Sequence, residues 1–128
     1  MTKRLFSGFT LVEVITVTII IGVMVVFVIP NISASIERSR VAEGQHILLA
    51  IFGAQKRYAL ENNGSYANNL NLLDVTLTTP TYFGAPTILT GPTLAQMTRS
   101  GSYTLSINTS GIISCSGGAA GLCQKIGY

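Results

Sequence analysis

The sequence predicts an α+β fold, in which one long N-terminal helix is followed by a small antiparallel β-sheet head. Three observations lead to this prediction. Residues 9–30 are almost continuously apolar, with a single charged side chain at Glu13. Residues 47–58 carry apolar side chains at helical spacing, and residues 103–108 alternate between apolar and polar. The first two patterns are typical of helices, and the third is typical of a half-buried strand.

The composition favours a small protein with a membrane segment. The chain has 128 residues, enough for one small domain, and only 10% are charged, against roughly 25% in a typical soluble domain. The net charge is +3, but two of the eight basic residues, Lys3 and Arg4, precede the apolar run. Without these two residues, six basic and five acidic residues remain, which is a net charge of +1. So small a charge gives no electrostatic reason to expect nucleic-acid binding.

The apolar run is long enough to be a membrane span, because a helix that crosses ~30 Å of hydrocarbon needs ~20 residues. Three other interpretations compete with a functional span: a secretory signal peptide cut among Ser33, Ala34 and Ser35, a plain signal anchor, and a buried core helix. Glu13 argues against all three. A carboxylate in the middle of a membrane costs roughly 2.5–3.5 kcal/mol, and intramembrane acids usually have a function.

A cut after Gly8 would give Glu13 a cationic partner. It would create a new α-amino group on Phe9, which lies four residues before Glu13. In a helix this spacing is about 6 Å of rise on nearly the same face. The amine titrates near 7.7–8.0 and would be largely cationic at neutral pH.

The N-terminal residues up to the end of the apolar run resemble the type IV pilins and the related pseudopilins of type II secretion. The matching features are the short basic leader MTKRLFSG, Gly8 before the cut, and FTLVE followed by a long apolar stretch. The resemblance implies cleavage between Gly8 and Phe9 by a prepilin peptidase and N-methylation of Phe9. It also implies that the apolar helices form the core of a helical filament, in which Glu13 neutralises the amino terminus of a neighbouring subunit.

The resemblance implies the type IV pilin fold in four segments: a leader at 1–8, a transmembrane and filament-core helix at 9–30, an amphipathic helix at 31–62, and a β-sheet head at 63–128. The expected partners are copies of the same chain, the prepilin peptidase and the assembly machinery. The precursor would lie in the inner membrane, and the mature subunit in an extracellular filament. The sequence does not choose among adhesion, motility, DNA uptake, secretion and electron transfer.

Two other functions stay open. A pseudopilin of a short periplasmic filament is the alternative to an extracellular pilin. Many major pseudopilins use calcium, and the C-terminal half lacks an acidic cluster suited to that ion. A secreted small binding protein would instead discard its whole apolar segment. The residues predict no enzyme and no cofactor, because Asp74 is the only aspartate and the many serines have no identifiable base.

The second half of the long helix is predicted from its pattern. Pro30 removes a backbone donor and is interpreted either as a kink or as a segment that unwinds on assembly. The charges at 37–43 predict the pairs Glu37–Arg40 and Arg40–Glu43, on a face that is either solvated or bridges subunits. The stretch Glu61–Ser65 is a strong helix stop.

The head is predicted to hold two or three strands. Residues 103–108 and 112–116 form two of them around a turn at 108–111, and residues 73–78 supply a possible third. The prolines at 80, 86 and 92 predict an irregular connection.

Cys115 and Cys123 enclose a short glycine-rich loop, which favours a disulfide in an oxidising compartment. This C-terminal stretch also resembles the disulfide-bounded loop of type IV pilins. A metal site is the competing interpretation, but it needs two more ligands, and His46 lies far upstream.

Overall fold

The computed structural model describes residues 8–118 and 122–128, with side chains at all of these positions except 28–31, 33, 34 and 125. The chain divides into two compact units, one ending at Ala34 and the other covering Ser35–Tyr128; we call them the N-terminal and C-terminal units. Helix α1 covers Leu11–Glu61, and the division between the units falls within it. The predicted fold class, a long N-terminal helix with a small antiparallel sheet, is confirmed.

Helix α1 ends inside the predicted stop. The N–H of Gly64 donates to the carbonyl of Ala59 (2.7 Å), and the Asn62 side chain donates to the Tyr58 carbonyl (2.9 Å). Asn63 and Gly64 have φ values of 54° and 84°, a left-handed conformation that asparagine and glycine tolerate best. These bonds satisfy carbonyls of the last turn and turn the chain away from the helix axis.

After a short 3-10 helix at Leu70–Leu72, the described chain forms four antiparallel strands in sequential order. These are β1 at Thr87–Ile88, β2 at Thr93–Thr98, β3 at Thr104–Asn108 and β4 at Ile113–Ser116, and a second helix, α2, follows at Leu122–Ile126. The predicted turn joins β3 to β4: the Asn108 side chain accepts from the N–H groups of Ser110 and Ile112, both at 2.9 Å. Gly111 closes the turn with a φ of 82°.

The prediction for the rest of the head was partly wrong. Residues 73–78, all of them described, lie outside every strand, although their side chains alternate between the core and solvent. Strand β1 occupies part of the connection that was predicted to be irregular, and β2 was not predicted. The described chain therefore has four strands where two or three were expected.

The core of the C-terminal unit lies between α1 and one face of the sheet. The predicted helix stripe is buried at Ile47, Leu48, Ile51 and Ala54, and Phe52 and Tyr58 pack at its margin. The facing side chains come from β2, β3 and the adjacent loops: Ala95, Met97, Tyr103, Leu105, Ile107 and Phe83. A Cβ added at Gly44 would lie 2.9 Å from Leu105 Cδ1, so the absence of a side chain there allows the helix to approach the sheet closely.

Candidate assembly site

The first turn of α1 is capped by a side chain that the sequence analysis did not single out. The Thr10 hydroxyl accepts a hydrogen bond from the Glu13 N–H (3.2 Å), while the Thr10 carbonyl accepts from the Val14 N–H (3.2 Å). Thr10 is therefore the N-cap, and Glu13 lies in the first turn. The helix dipole favours a carboxylate at that end, which gives Glu13 a local stabilising role in addition to the predicted one.

Phe9 and Glu13 lie on one surface of the N-terminal unit. Together with Val14, Val17 and Thr18 they line a shallow concavity of about 240 Å³. Gly8 and Phe9 precede the helix, and Phe9 is 81% exposed. No ion pair among the described residues includes Glu13, and Lys3 and Arg4 lie outside those residues. Its role as a counter-charge, like cleavage at Gly8 and methylation of Phe9, stays a prediction.

The described side chains of the N-terminal unit present an apolar exterior. From Leu11 to Phe27 every side chain is exposed. The two threonines within this stretch satisfy their hydroxyls locally, since Thr16 donates to the Val12 carbonyl and Thr18 to the Val14 carbonyl. The helix assignment continues through position 30, whose side chain lies outside the described set, so the kink at Pro30 stays a prediction.

Within the part of the chain that the structure describes, no helix has both the length and the apolar character that crossing a membrane requires.

The charged segment 37–43 binds its own head. Glu37, with a side chain only 12% exposed, forms an ion pair with Arg99, accepts a hydrogen bond from the Tyr103 hydroxyl (2.9 Å) and pairs with Arg40 at 3.4 Å. The Glu37–Arg40 pair is therefore confirmed. For Glu37, neither the solvated face nor a bridge between subunits was the right interpretation, because Arg99 and Tyr103 bind it from across the fold of the same chain.

Glu43 does not form the predicted pair with Arg40 among the described ion pairs. Its carboxylate instead accepts hydrogen bonds from the backbone N–H groups of Thr81 (2.7 Å) and Tyr82 (2.9 Å). The Arg40 guanidinium lies 5.2 Å from the centre of the Tyr82 ring. The bond from Thr81, supported by that from Tyr82, holds the pKa of Glu43 below its usual 4.5.

The Glu43 contacts predict a loss of stability in acid. A group whose pKa is lowered by folding stabilises the folded state above its usual pKa, and this contribution disappears as the pH falls through the folded value. We expect the melting temperature of the wild-type chain to fall as the pH drops below 4.5, and Glu43→Gln to reduce that fall. Circular dichroism melts from pH 7 to pH 3 measure both. An acid-induced fall of equal size in the variant would contradict the assignment.

A disulfide joins Cys115 in β4 to Cys123 in α2, with Cα atoms 5.7 Å apart. The covalent bond ties α2 to the sheet, where Ile126 is buried. The Tyr128 hydroxyl is hydrogen-bonded to the Gln45 side chain of α1, and the Tyr128 N–H donates to the Cys123 carbonyl (2.9 Å). The C-terminal segment therefore packs onto the main helix, and the metal interpretation of the two cysteines was wrong.

The donor set for calcium is poor. The C-terminal unit has four carboxylates, and three are bound by their own chain: Glu37 by Arg99, Glu43 by two backbone N–H groups, and Asp74 by both Nε (2.7 Å) and Nη2 (2.9 Å) of Arg57. Only Glu61 remains. No group of three or more potential metal ligands occurs among the described residues. Calcium takes about 6–8 oxygen ligands, usually including several carboxylates, so these residues do not fit it.

We therefore expect the head to depend on its disulfide rather than on calcium. Reduction, or the double change Cys115→Ser and Cys123→Ser, should lower the free energy of unfolding by roughly 2–4 kcal/mol. An excess of the chelator EGTA should leave the melting temperature of the oxidised chain unchanged. Circular dichroism melts in detergent measure these effects, with thiol labelling as the check that the starting chain is oxidised. A lower melting temperature in EGTA would contradict this expectation.

Comparison with known proteins gives two informative relatives. The type II secretion system core protein G of Aeromonas hydrophila is 35% identical over 81 residues, which cover 63% of this chain and 56% of that protein. The protein of the same name from Pseudomonas aeruginosa is 32% identical over 62 residues, covering 48% of this chain and 44% of that protein. The chain thus spans about half the length of the curated relatives it matches. No family model and no solved structure matches it.

The fold and these relatives agree with the N-terminal signature. An α+β chain with one long helix, a small antiparallel sheet and a disulfide-closed C-terminal segment has the architecture that the resemblance implied. The relatives are named as components of type II secretion rather than as pilins. The chain is therefore similar, in fold and in its N-terminal signature, to the type IV pilin-like proteins, and both relatives carry the name of the type II secretion core protein G.

Proposed function

We propose that this chain is a structural pseudopilin. It is processed between Gly8 and Phe9 and polymerises with copies of itself into a short periplasmic filament that serves type II secretion. The observation that carries the proposal is the shared name of both relatives, core protein G of a type II secretion system. The exposed apolar surface of the N-terminal unit supports assembly through helix packing, because such a surface needs lipid or other helices to cover it.

The sequence alone favoured an extracellular pilus, because of the cysteine loop and a head rich in serine, threonine and glycine. Both relatives support the alternative instead, so adhesion and motility are not part of the proposal. The partners proposed are the prepilin peptidase, the inner membrane before assembly and the secretion machinery. The subunit has a structural role and no catalytic one.

A deletion of the gene tests this function. We expect proteins that leave the cell by this secretion route to accumulate in the periplasm, and filaments sheared from the cell surface to be unaffected. The intact mass of the membrane-extracted subunit should correspond to a chain that begins at Phe9 and carries one methyl group. Normal secretion with loss of surface filaments would support an extracellular pilin, and a mature chain that begins after Ser35 would overturn the filament altogether.

A further inference from the structure

The C-terminal unit has an open concavity at the end of α1. Its walls come from the last turn of α1, the turn at 62–68, the short 3-10 helix and Thr90 between β1 and β2. Its volume is about 570 Å³. This lies within the range of roughly 300–1,000 Å³ that is typical of small-molecule sites.

Hydrogen bonds to residues outside the concavity fix the position of its walls. Gln55 is fully buried and binds the Ala67 backbone twice, donating to its carbonyl (2.9 Å) and accepting from its N–H (2.8 Å). These bonds fix the chain between Tyr66 and Asn68, both of which line the concavity. The Lys56 ammonium donates to the Tyr66 hydroxyl (3.2 Å) and lies 5.6 Å from the centre of its ring. The site is therefore formed without a ligand.

The lining excludes several ligand classes. It contains no lysine or arginine, and the nearby cations are already engaged, Arg57 by Asp74 and Lys56 by the Tyr66 hydroxyl. The one charged lining residue is the negative Glu61, so the lining does not favour phosphates or sulfates. One carboxylate is too few for a hard cation. Leu72 is the only aliphatic side chain among the lining residues, which is too little for a lipid or another apolar ligand.

What the lining offers is neutral hydrogen-bonding groups beside aromatic rings. The amides of Asn63 and Asn68 and the hydroxyl of Thr90 each combine donor and acceptor capacity. The tyrosines at 58 and 66 add two aromatic side chains to the same walls. A pyranose ring matches both features, since its hydroxyls donate and accept while its C–H face packs on an aromatic ring. We propose that this concavity binds a neutral oligosaccharide.

Saturation-transfer NMR on the full chain in deuterated detergent micelles tests the proposal with two probes at millimolar concentration. Chitotriose represents β-linked N-acetylglucosamine, as in glycan strands, and maltotriose represents α-linked glucose. We expect transfer to the ring protons of at least one probe, and the probe that responds identifies the linkage and source. No transfer to either probe would overturn the proposal. Loss of the signal on addition of EDTA would also overturn the proposal, because it would show that a bound metal ion, and not the lining residues, holds the sugar.

Variants locate the binding. Asn63→Gly removes one lining amide, and glycine is chosen because it accepts the left-handed backbone at this position. Asn68→Ala removes the second amide, and the two changes are combined in one variant. Loss of two hydrogen bonds to the sugar should weaken binding at least tenfold. Ser110→Ala, in the turn between β3 and β4, is the matched control and should bind normally. Equal binding by the double variant and the wild type, with both folded by circular dichroism, would refute the site even if the chain functions in secretion as proposed.

Discussion

Glu13→Ala is expected to remove nearly all assembled filament while leaving the subunit in the membrane. The change takes a carboxylate out of an apolar segment, so insertion should be unimpaired or improved. In the filament, however, the Phe9 amine would enter an apolar core without a counter-ion. Breaking one partner of a buried pair costs ~3–5 kcal/mol, which corresponds to a reduction in assembly of at least 100-fold. The measurement compares pelleted filament with total membrane subunit.

Two variants separate the charge from the helix cap. Glu13→Gln keeps the shape of the side chain and should be nearly as defective as alanine. Thr10→Ala removes the hydroxyl that binds the Glu13 N–H but keeps the carboxylate, so it should cost about 1 kcal/mol of helix stability and still assemble. If Thr10→Ala were as defective as Glu13→Ala, Glu13 would contribute to assembly by stabilising the N-terminus of the helix and not by pairing with a neighbouring amine.

Gln55→Ala is expected to destabilise the C-terminal unit by roughly 2–6 kcal/mol. The variant leaves the N–H and the carbonyl of Ala67 without partners, and Ala67 is only 1% exposed. Each buried polar group left unsatisfied costs about 1–3 kcal/mol. Urea denaturation followed by circular dichroism measures the loss, in detergent and with the disulfide intact.

The chain offers a matched control for this change. Gln96→Ala removes the same side chain from β2, where Gln96 is partly exposed, and should change stability by no more than about 0.5 kcal/mol. The Gln55 variant should also lose the oligosaccharide site, since Tyr66 and Asn68 flank the residue that Gln55 holds. A destabilisation below 1 kcal/mol would show that water satisfies the Ala67 backbone in the variant.

The elements that the sequence predicted are those whose pattern is local. Local patterns show which side of an element faces the core, as the apolar stripe at 47–58 does for the helix and the alternation at 103–108 and 112–116 does for two strands. The helix and these strands could therefore be predicted from the sequence. The alternation at 73–78 also indicated correctly which side chains face the core, since Leu73 is buried and Asp74 is exposed. That segment forms no strand, because a ladder also needs a neighbouring strand and the pattern carries no information about one.

Strand β2 was missed for the opposite reason. Its register shifts between Thr93 and Ala95, so Leu94 and Ala95 are buried one after the other and the alternation is broken. The contacts of Glu37 with Arg99 and of Gln55 with Ala67 join residues far apart in sequence, and no local pattern marks such partners. The candidate assembly residues, by contrast, could be proposed from the sequence because a short motif concentrates them between Gly8 and Glu13.

The ion pair between Glu37 and Arg99 also has a consequence for proteolysis. After Arg57 the only lysine or arginine residues are Arg99 and Lys125, so the head offers trypsin very few sites. Arg99 follows the end of β2, and its carbonyl and N–H are both bonded across the hairpin, to Ser102 and Tyr103. Trypsin can cut there only after the hairpin opens and the guanidinium leaves Glu37. When opening and closing are fast relative to cutting, the cleavage rate at this one bond measures how often the head opens locally.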